Sequence, residues 1–396
     1  MIRSIHPFPA RMAPELALEK LQDLRQSGLV LDPMTGSGTV LRQATDLGHR
    51  AIGFDMDPLA VLMTRVWTTS VDEKLVDTLA ERITKRISEV HSEEVSLPWM
   101  DDDVETSNFV DFWFADPQKG DLRRIAFALD ELGREAIGPE EHVAIDLLRI
   151  ALSRLIITKD KGASLARDVS HSRPHKVADQ NNFDVFPMFA RSIKAVQKRL
   201  REAPPSGGAD INLGDARDLS SVEDSSIDAV LTSPPYLNAI DYMRGHRLSL
   251  IWLGHRIGDL RAIRSSSIGA ERAPDSLEGA TVITEMRLAM GAIEELPNRY
   301  RSMINRYIQD IRRMICEIAR VLKNGAHATF VMGNSCLRDI FIRNSAAVAK
   351  AAEHAGLSLI RETERPLPIR NRYLPMTSKQ LSKRMRTETI LTFARA

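Results

Sequence analysis

Leu29-Val30-Leu31-Asp32-Pro33-Met34-Thr35-Gly36-Ser37-Gly38-Thr39 is an apolar run that breaks into a glycine-rich turn. Residues 40–47 follow with helical patterning, so the segment predicts a strand, a loop and a helix in succession. Gly36 and Gly38 allow the backbone close to a ligand, and Ser37 and Thr39 stand where a new helix offers free amides. Residues 51–54 predict the next strand, which ends at Asp55-Met56-Asp57-Pro58 with Pro58 placed to open another helix. A glycine loop with a carboxylate about 20 residues further on suits a nucleotide, the carboxylate accepting from ribose hydroxyls. Asp55 is the expected ribose ligand; the plainer alternative is that Asp55 or Asp57 is a helix cap. The strict Gly-x-Gly-x-x-Gly pattern and the phosphate-loop Gly-Lys-Ser/Thr are both absent, which argues against NAD and ATP. An α/β fold is expected, with a doubly wound, Rossmann-like sheet that gathers ligands at strand carboxyl ends.

A second run, Thr232-Ser233-Pro234-Pro235-Tyr236, closes a short apolar strand predicted over 227–231. Neither proline can donate to a sheet ladder, so the carbonyls of Ser233 and Pro234 are left posed at the strand's carboxyl end. Such carbonyls can accept from an exocyclic NH2 group, and the flat face of Tyr236 can stack on a base drawn out of a nucleic-acid helix. The plainer alternative is a strand-ending turn whose tyrosine packs.

Together the two motifs resemble the amino-group DNA methyltransferases that use S-adenosylmethionine. The resemblance extends to His6-Pro7-Phe8-Pro9-Ala10-Arg11-Met12, similar to the family's amino-terminal motif lining the methionine end of the cofactor. It extends also to residues 237–242 and to Arg244-Gly245-His246-Arg247, similar to modification methylases with a Ser-Pro-Pro-Tyr centre. It implies a class I methyltransferase sheet, mostly parallel with a terminal antiparallel strand, plus helical insertions. It implies S-adenosylmethionine as cofactor, held by Pro9, Asp32, Pro33, Met34, Thr35, Gly36, Ser37, Gly38, Thr39, Asp55, Met56, Asp215, Ala216 and Ser233. Ser233, Pro234, Pro235 and Tyr236 would form the catalytic motif. Tyr236, Asn238, Asp241, Tyr242, Arg244, His246 and Arg247 would meet the substrate. DNA is the implied partner, in some systems beside a cognate restriction endonuclease. Serine in this motif more often accompanies methylation of cytosine N4, and Asp or Asn that of adenine N6. Carbon-5 methylation needs a cysteine nucleophile after proline, whereas Cys316 follows Ile315 and Cys336 follows Ser335. Adenine N6 methylation, methylation of RNA amino groups and an inactive DNA-binding subunit stay open as alternatives.

The chain of 396 residues has a net charge of +1, so any contact with a polyanion must be local. Basic residues gather at Arg244, His246, Arg247, His255, Arg256, Arg261, Arg264 and Arg272. A second gathering comprises Arg361, Arg365, Arg370, Arg372, Lys379, Lys383, Arg384 and Arg386, and an acidic run spans 93–105. No apolar stretch is long enough to span a bilayer, the amino terminus lacks a secretion pattern, and two cysteines suit a reducing cytoplasm. No metal site is expected, because His171 and His175 stand without cysteines or carboxylates arranged beside them. The expected division is 1–70 as the first part of the catalytic domain, 71–185 as a helical insertion, 186–236 carrying the catalytic motif, 237–297 as a second insertion, and 298–396 completing the sheet. Its remaining strands are expected at 210–213, 326–334, 357–360 and 389–393, and a helix over 298–322.

Overall fold

The computed structural model describes residues 3–8, 12–24, 27–171, 173–237, 241–269, 279–366 and 387–396. In chain order these form α1 (Pro14–Leu21), β1 (Leu29–Asp32), α2 (Thr39–Asp46), β2 (Arg50–Asp55), α3 (Pro58–Thr68), α4 (Glu73–Glu89), α5 (Pro98–Asp101), α6 (Val104–Trp113), α7 (Gln118–Glu135) and α8 (Pro139–Ile156). Then come β3 (Ala166–Arg167), β4 (His175–Lys176), α9 (Val185–Glu202), β5 (Asp210–Leu213), β6 (Ile227–Thr232), α10 (Met243–Leu250), α11 (Ile257–Ser266) and α12 (Ala280–Ala289). The chain closes with α13 (Asn298–Val321), β7 (Leu322–Gly333), β8 (Ser335–Leu337), β9 (Ile340–Ile342), α14 (Asn344–His354), β10 (Leu357–Pro366) and β11 (Thr387–Arg395).

The main sheet has the order β10-β11-β7-β6-β1-β2-β5. Neighbours from β7 to β5 run parallel, while β11 runs antiparallel to both β7 and β10. This is a doubly wound, mostly parallel sheet with an antiparallel strand, as expected. From β1 the chain winds outward to β2 and β5 on one side, then returns to β6 on the other. The order therefore reverses between β1 and β6, and in open α/β sheets the crevice beyond that reversal receives the ligand. The register Val30↔Ala229 and Leu31↔Val230 brings the carboxyl ends of β1 and β6, with the glycine-rich and Ser-Pro-Pro-Tyr turns, to that one place.

Periodicity explains the layers. In α13 the buried Ile304, Ile308, Ile311, Ile315 and Ile318 recur three or four apart, giving one apolar face that packs with Phe330 of β7 and Phe393 of β11. A second core runs from Leu59 and Met63 of α3 through Ile83, Leu122, Leu148 and Val196, and continues into Leu248, Trp252 and Leu260. The helices between α3 and β5 therefore share apolar contacts with those that follow the catalytic motif. Arg42 of α2 is almost fully buried, and its guanidinium donates to Asp46, the Trp67 carbonyl and the carbonyls of Ala203 and Pro204 at 2.7–2.8 Å. It fixes where the chain leaves α9 for β5.

Three differences from the sequence-based expectations have physical causes. Strand β10 extends to Pro366, not residue 360, because an edge strand carries charges such as Arg361, Glu362 and Glu364 that conceal its period. Strand β7 starts at Leu322, four residues before the expected 326. The β8–β9 hairpin was not anticipated, since its turn puts Arg338 and Asp339 at φ 45° and 70° without the usual Asn-Gly signature. Among the described residues, no helix is long and apolar enough to cross a membrane.

Candidate active site

The glycine-rich turn is held from three sides. The Thr35 N–H donates to the Phe54 carbonyl at 2.9 Å, the Gly36 N–H to the Asp55 carboxylate at 2.8 Å, and the Gly38 N–H to the Thr35 carbonyl at 2.8 Å. Gly36 and Gly38 have φ of 51° and 82°. A Cβ at Gly38 would lie 2.7 Å from Thr64, and one at Gly36 would lie 3.3 Å from the Phe8 ring. Both glycines are thus required by backbone conformation and by close neighbours. Pro33, Ser37, Gly38 and Thr39 are buried, whereas Met34, Gly36, Asp55 and Met56 keep accessible surface. The Thr35 hydroxyl is buried without a hydrogen-bond partner.

Asp32, expected to touch the cofactor, is instead a brace. Its carboxylate is buried and accepts from the Met34 N–H at 3.1 Å and from the Thr232 hydroxyl at 2.8 Å. Burial pushes its pKa up to about 7, against the pull of these two donors. Thr232 received no role from the sequence, yet it joins the catalytic motif to the glycine loop. Asp55 accepts from the N–H groups of Gly36 and Asp57, and burial followed by the Asp57 charge pushes its pKa up to about 6.

Asp57 caps α3 through the Leu59 N–H at 2.9 Å and hydrogen-bonds Nδ1 of His246. His246 is 2% exposed, so the expected substrate contact is corrected to an internal tie between α10 and the β2–α3 turn. Tyr242 was also expected at the substrate. It is half-buried against Phe8, ring centroids 5.0 Å apart, and burial and the Asp55 charge raise its phenol pKa. It forms a wall on the Asp55 side. The segment before Phe8 is anchored by His6, whose Nε2 lies 2.8 Å from Oγ of Ser153 on α8. Burial lowers the His6 pKa to about 3, so the ring is neutral. Pro9 and Asn238 lie outside the described residues, as do Arg272 and the basic residues from Arg370 to Arg386.

Asp215 follows Gly214, whose N–H donates to the Asp55 carbonyl at 3.0 Å. Its carboxylate is clasped by Arg217 at 2.6–3.0 Å, and Arg217 reaches Asp310 at 2.6 Å. Ala216 is buried. Asp241 pairs with Arg264 at 2.5 Å and Arg244 at 3.2 Å, while Arg244 is otherwise exposed.

In the catalytic motif, Ser233 donates its hydroxyl hydrogen to the Val331 carbonyl at 3.0 Å. Pro234 is buried, and Pro235 and Tyr236 are half-buried. The Tyr236 hydroxyl donates to Glu388 of β11 at 3.4 Å, and Glu388 lies 3.7 Å from Arg365. Burial raises the Glu388 pKa and also the Tyr236 phenol. Sequence reasoning missed Glu388. Its one signal was a carboxylate at the start of an otherwise apolar strand.

No protein-family model matches the chain. The type II methyltransferase M.MvaI of Kocuria varians is 21% identical over 424 residues, spanning 96% of this chain and 86% of its own length. M.BsoBI of Geobacillus stearothermophilus is 21% identical over 393 residues, spanning 85% and 74%. Both relatives are type II methyltransferases, and the chain is similar to them along most of its length. Among solved structures, a SAM-dependent methyltransferase from Methanosarcina mazei is 10% identical, with 97% of this chain and 98% of that one covered at a TM-score of 0.34. S-adenosylmethionine is the cofactor that the resemblance implies. The glycine turn fits it: a cradle without side chains at Gly36 and Gly38, an unpartnered Thr35 hydroxyl and a carboxylate at Asp55.

Two left-handed glycines of this region, Gly38 and Gly48, separate close approach from conformational strain. Gly48 shares the φ of 82° with Gly38, but nothing lies within 4 Å of its would-be Cβ. Gly38→Ala is expected to weaken S-adenosylmethionine binding about tenfold or more, since strain adds to the collision with Thr64. Gly48→Ala is expected to cost stability of about 1 kcal/mol with cofactor affinity unchanged. Calorimetric titration of both variants checks this; equal losses of affinity would contradict it.

Proposed function

We propose that this methyltransferase modifies the exocyclic N4 of cytosine in DNA, with the target base rotated out of the duplex onto Tyr236. The observation that carries the choice of an exocyclic amine is the committed hydrogen of Ser233, and serine in place of Asp or Asn at this position of the motif favours cytosine N4. Because the hydroxyl already donates to Val331, its lone pairs can only accept, which is what an NH2 group requires. Acceptance by Ser233 and by the Pro234 carbonyl draws the amine's lone pair out of the ring and fixes its direction. The Tyr236 ring supplies a stacking face, and its hydroxyl bond to Glu388 sets the ring's orientation. When bound, S-adenosylmethionine supplies a methyl group on a sulfonium, an electrophile needing only position. Asp55 accepts from the ribose hydroxyls, Met34 and Gly36 line the loop surface, and Phe8 and Tyr242 close the pocket beside them. The helices from 71 to 185 clamp the duplex, and a cognate restriction endonuclease is the partner such a modification enzyme would accompany.

Incubation with labelled S-adenosylmethionine and mixed-sequence duplex, followed by nucleoside mass spectrometry, is the test. N4-methylcytosine is the expected product. N6-methyladenine would overturn the choice of base, and no labelled nucleoside would overturn the activity. Ser233→Ala is expected to slow single-turnover transfer with cofactor affinity retained. Tyr236→Phe should keep most activity, and Tyr236→Ala should lose about 1 to 3 kcal/mol of substrate stabilisation. Equal rates in all three variants would contradict the assigned roles.

The Asp55 carboxylate gives a pH signature. Its pKa is about 6 in the folded chain, and only the ionised form accepts from both ribose hydroxyls. Cofactor affinity is therefore expected to rise with pH through 6, by up to about tenfold per unit below that value, and to level off above 7. Asp55→Asn should flatten the profile and lower the plateau by about 1.5 to 3 kcal/mol. A flat profile in the parent chain would move the ribose contact elsewhere.

A further inference from the structure

A cavity of about 310 Å3 lies between α6 and the pair α10 and α11. Its lining includes three arginines, Arg247, Arg261 and Arg264, against one carboxylate, Glu105, with Asn108 and Phe109 beside them. Two of the cations are neutralised. Arg261 pairs with Glu105 at 2.5 Å and Arg264 with Asp241 at 2.5 Å. Arg247 is different. Among the described residues, no carboxylate stands within ion-pair distance of it, and its Nε is buried without a hydrogen-bond partner. Its guanidinium lies over the Phe109 ring, 5.0 Å from the centroid, which fixes the plane of the fork. A guanidinium drawn out of water without a counter-charge is unfavourable, and a planar fork in a cavity matches an anion with two oxygens.

The position of the cavity says which anion. His246 points to Asp57 at the cofactor side, while its neighbour Arg247 lines the cavity, so the two sit on different faces of α10. Successive helix residues point about 100° apart, so the cofactor turn and the cavity flank the same helix. In the proposed complex the polyanion brought to this helix is the DNA strand.

We propose that the cavity is a subsite for one backbone phosphate of the methylated strand, gripped by Arg247 through two parallel N–H···O bonds. The proposal rests on DNA being the substrate. The phosphate supplies the direct counter-charge that Arg247 lacks, because the nearby Asp241 is already paired with Arg264 and Arg244, and the pairs Arg261–Glu105 and Arg264–Asp241 hold the flanking arginines in place. A phosphate contact sets register and carries no sequence information. Arg247 is therefore a positioning residue for the strand.

The test uses the full chain and synthetic duplexes of several sequences, with binding measured across a salt series. Arg247→Gln is expected to weaken binding about tenfold on every duplex and to reduce the salt slope by about one. Arg247→Lys should restore the slope and recover only part of the affinity, since a point charge replaces the fork. Replacing single phosphates by methylphosphonates in the parent complex should identify one position whose neutralisation costs as much as Arg247→Gln. That position should cost nothing further in the variant. An unchanged slope with Arg247→Gln, or a loss confined to particular base sequences, would overturn the proposal. Calorimetric cofactor binding by each variant reports an intact fold. A parent chain that methylates no DNA overturns the functional reading; a parent that does so beside an indifferent Arg247→Gln overturns the phosphate subsite alone.

Discussion

The Thr232 hydroxyl donates to the buried Asp32 carboxylate at 2.8 Å, joining the last residue of β6 to the last residue of β1. Both turns that matter chemically begin at these two residues. One is held by Asp32 through the Met34 N–H; the other leaves Thr232 as Ser233-Pro234-Pro235-Tyr236. A hydrogen bond to a carboxylate is worth about 1.5 to 3 kcal/mol, and more is at stake when the acceptor is buried. The parallel register of β1 and β6 aligns the strands, and this contact ties the two turns directly to each other. Ser233 is then referred to β7 by its bond to Val331, and Tyr236 to β11 by Glu388, so the catalytic motif is set by three strands besides its own.

The same logic extends into the helical layer. Asp57 caps α3 and holds His246, so α10 is tied to the β2–α3 turn. Phe8 packs on Tyr242 and His246 from the amino-terminal segment, which His6 anchors to α8. The pocket wall thus contains pieces from residue 6 to residue 246. Movement of α10 would be felt at once by the cofactor turn on one side and by the arginine-lined cavity on the other.

What the sequence showed was local. Strand, glycine turn and helix follow each other within about five residues, as most connections in α/β units do, and two consecutive prolines end a strand wherever they occur. Those features gave the sheet, the glycine turn and the catalytic motif. The braces were not legible, because Thr232 and Asp32 are 200 residues apart, His246 and Asp57 189, and Tyr236 and Glu388 152. Spacing carries no information about such pairs. His246 read as part of a basic patch because it stands between Arg244 and Arg247, and burial on one helix face is invisible in a run of polar letters. Asp32 read as a ligand for the corresponding reason: a carboxylate at a strand's end looks the same whether it faces the crevice or the turn beneath it.

The dependence of both turns on one buried contact can be measured by a double-mutant cycle. Asp32→Asn, Thr232→Val and the pair would be compared in cofactor affinity by calorimetry and in single-turnover methyl transfer to duplex DNA. If the contact couples the two turns, the effects should be non-additive by about 1 to 3 kcal/mol in both readouts. Additivity within about 0.5 kcal/mol in both would contradict it, leaving the turns to be positioned independently by their own strands.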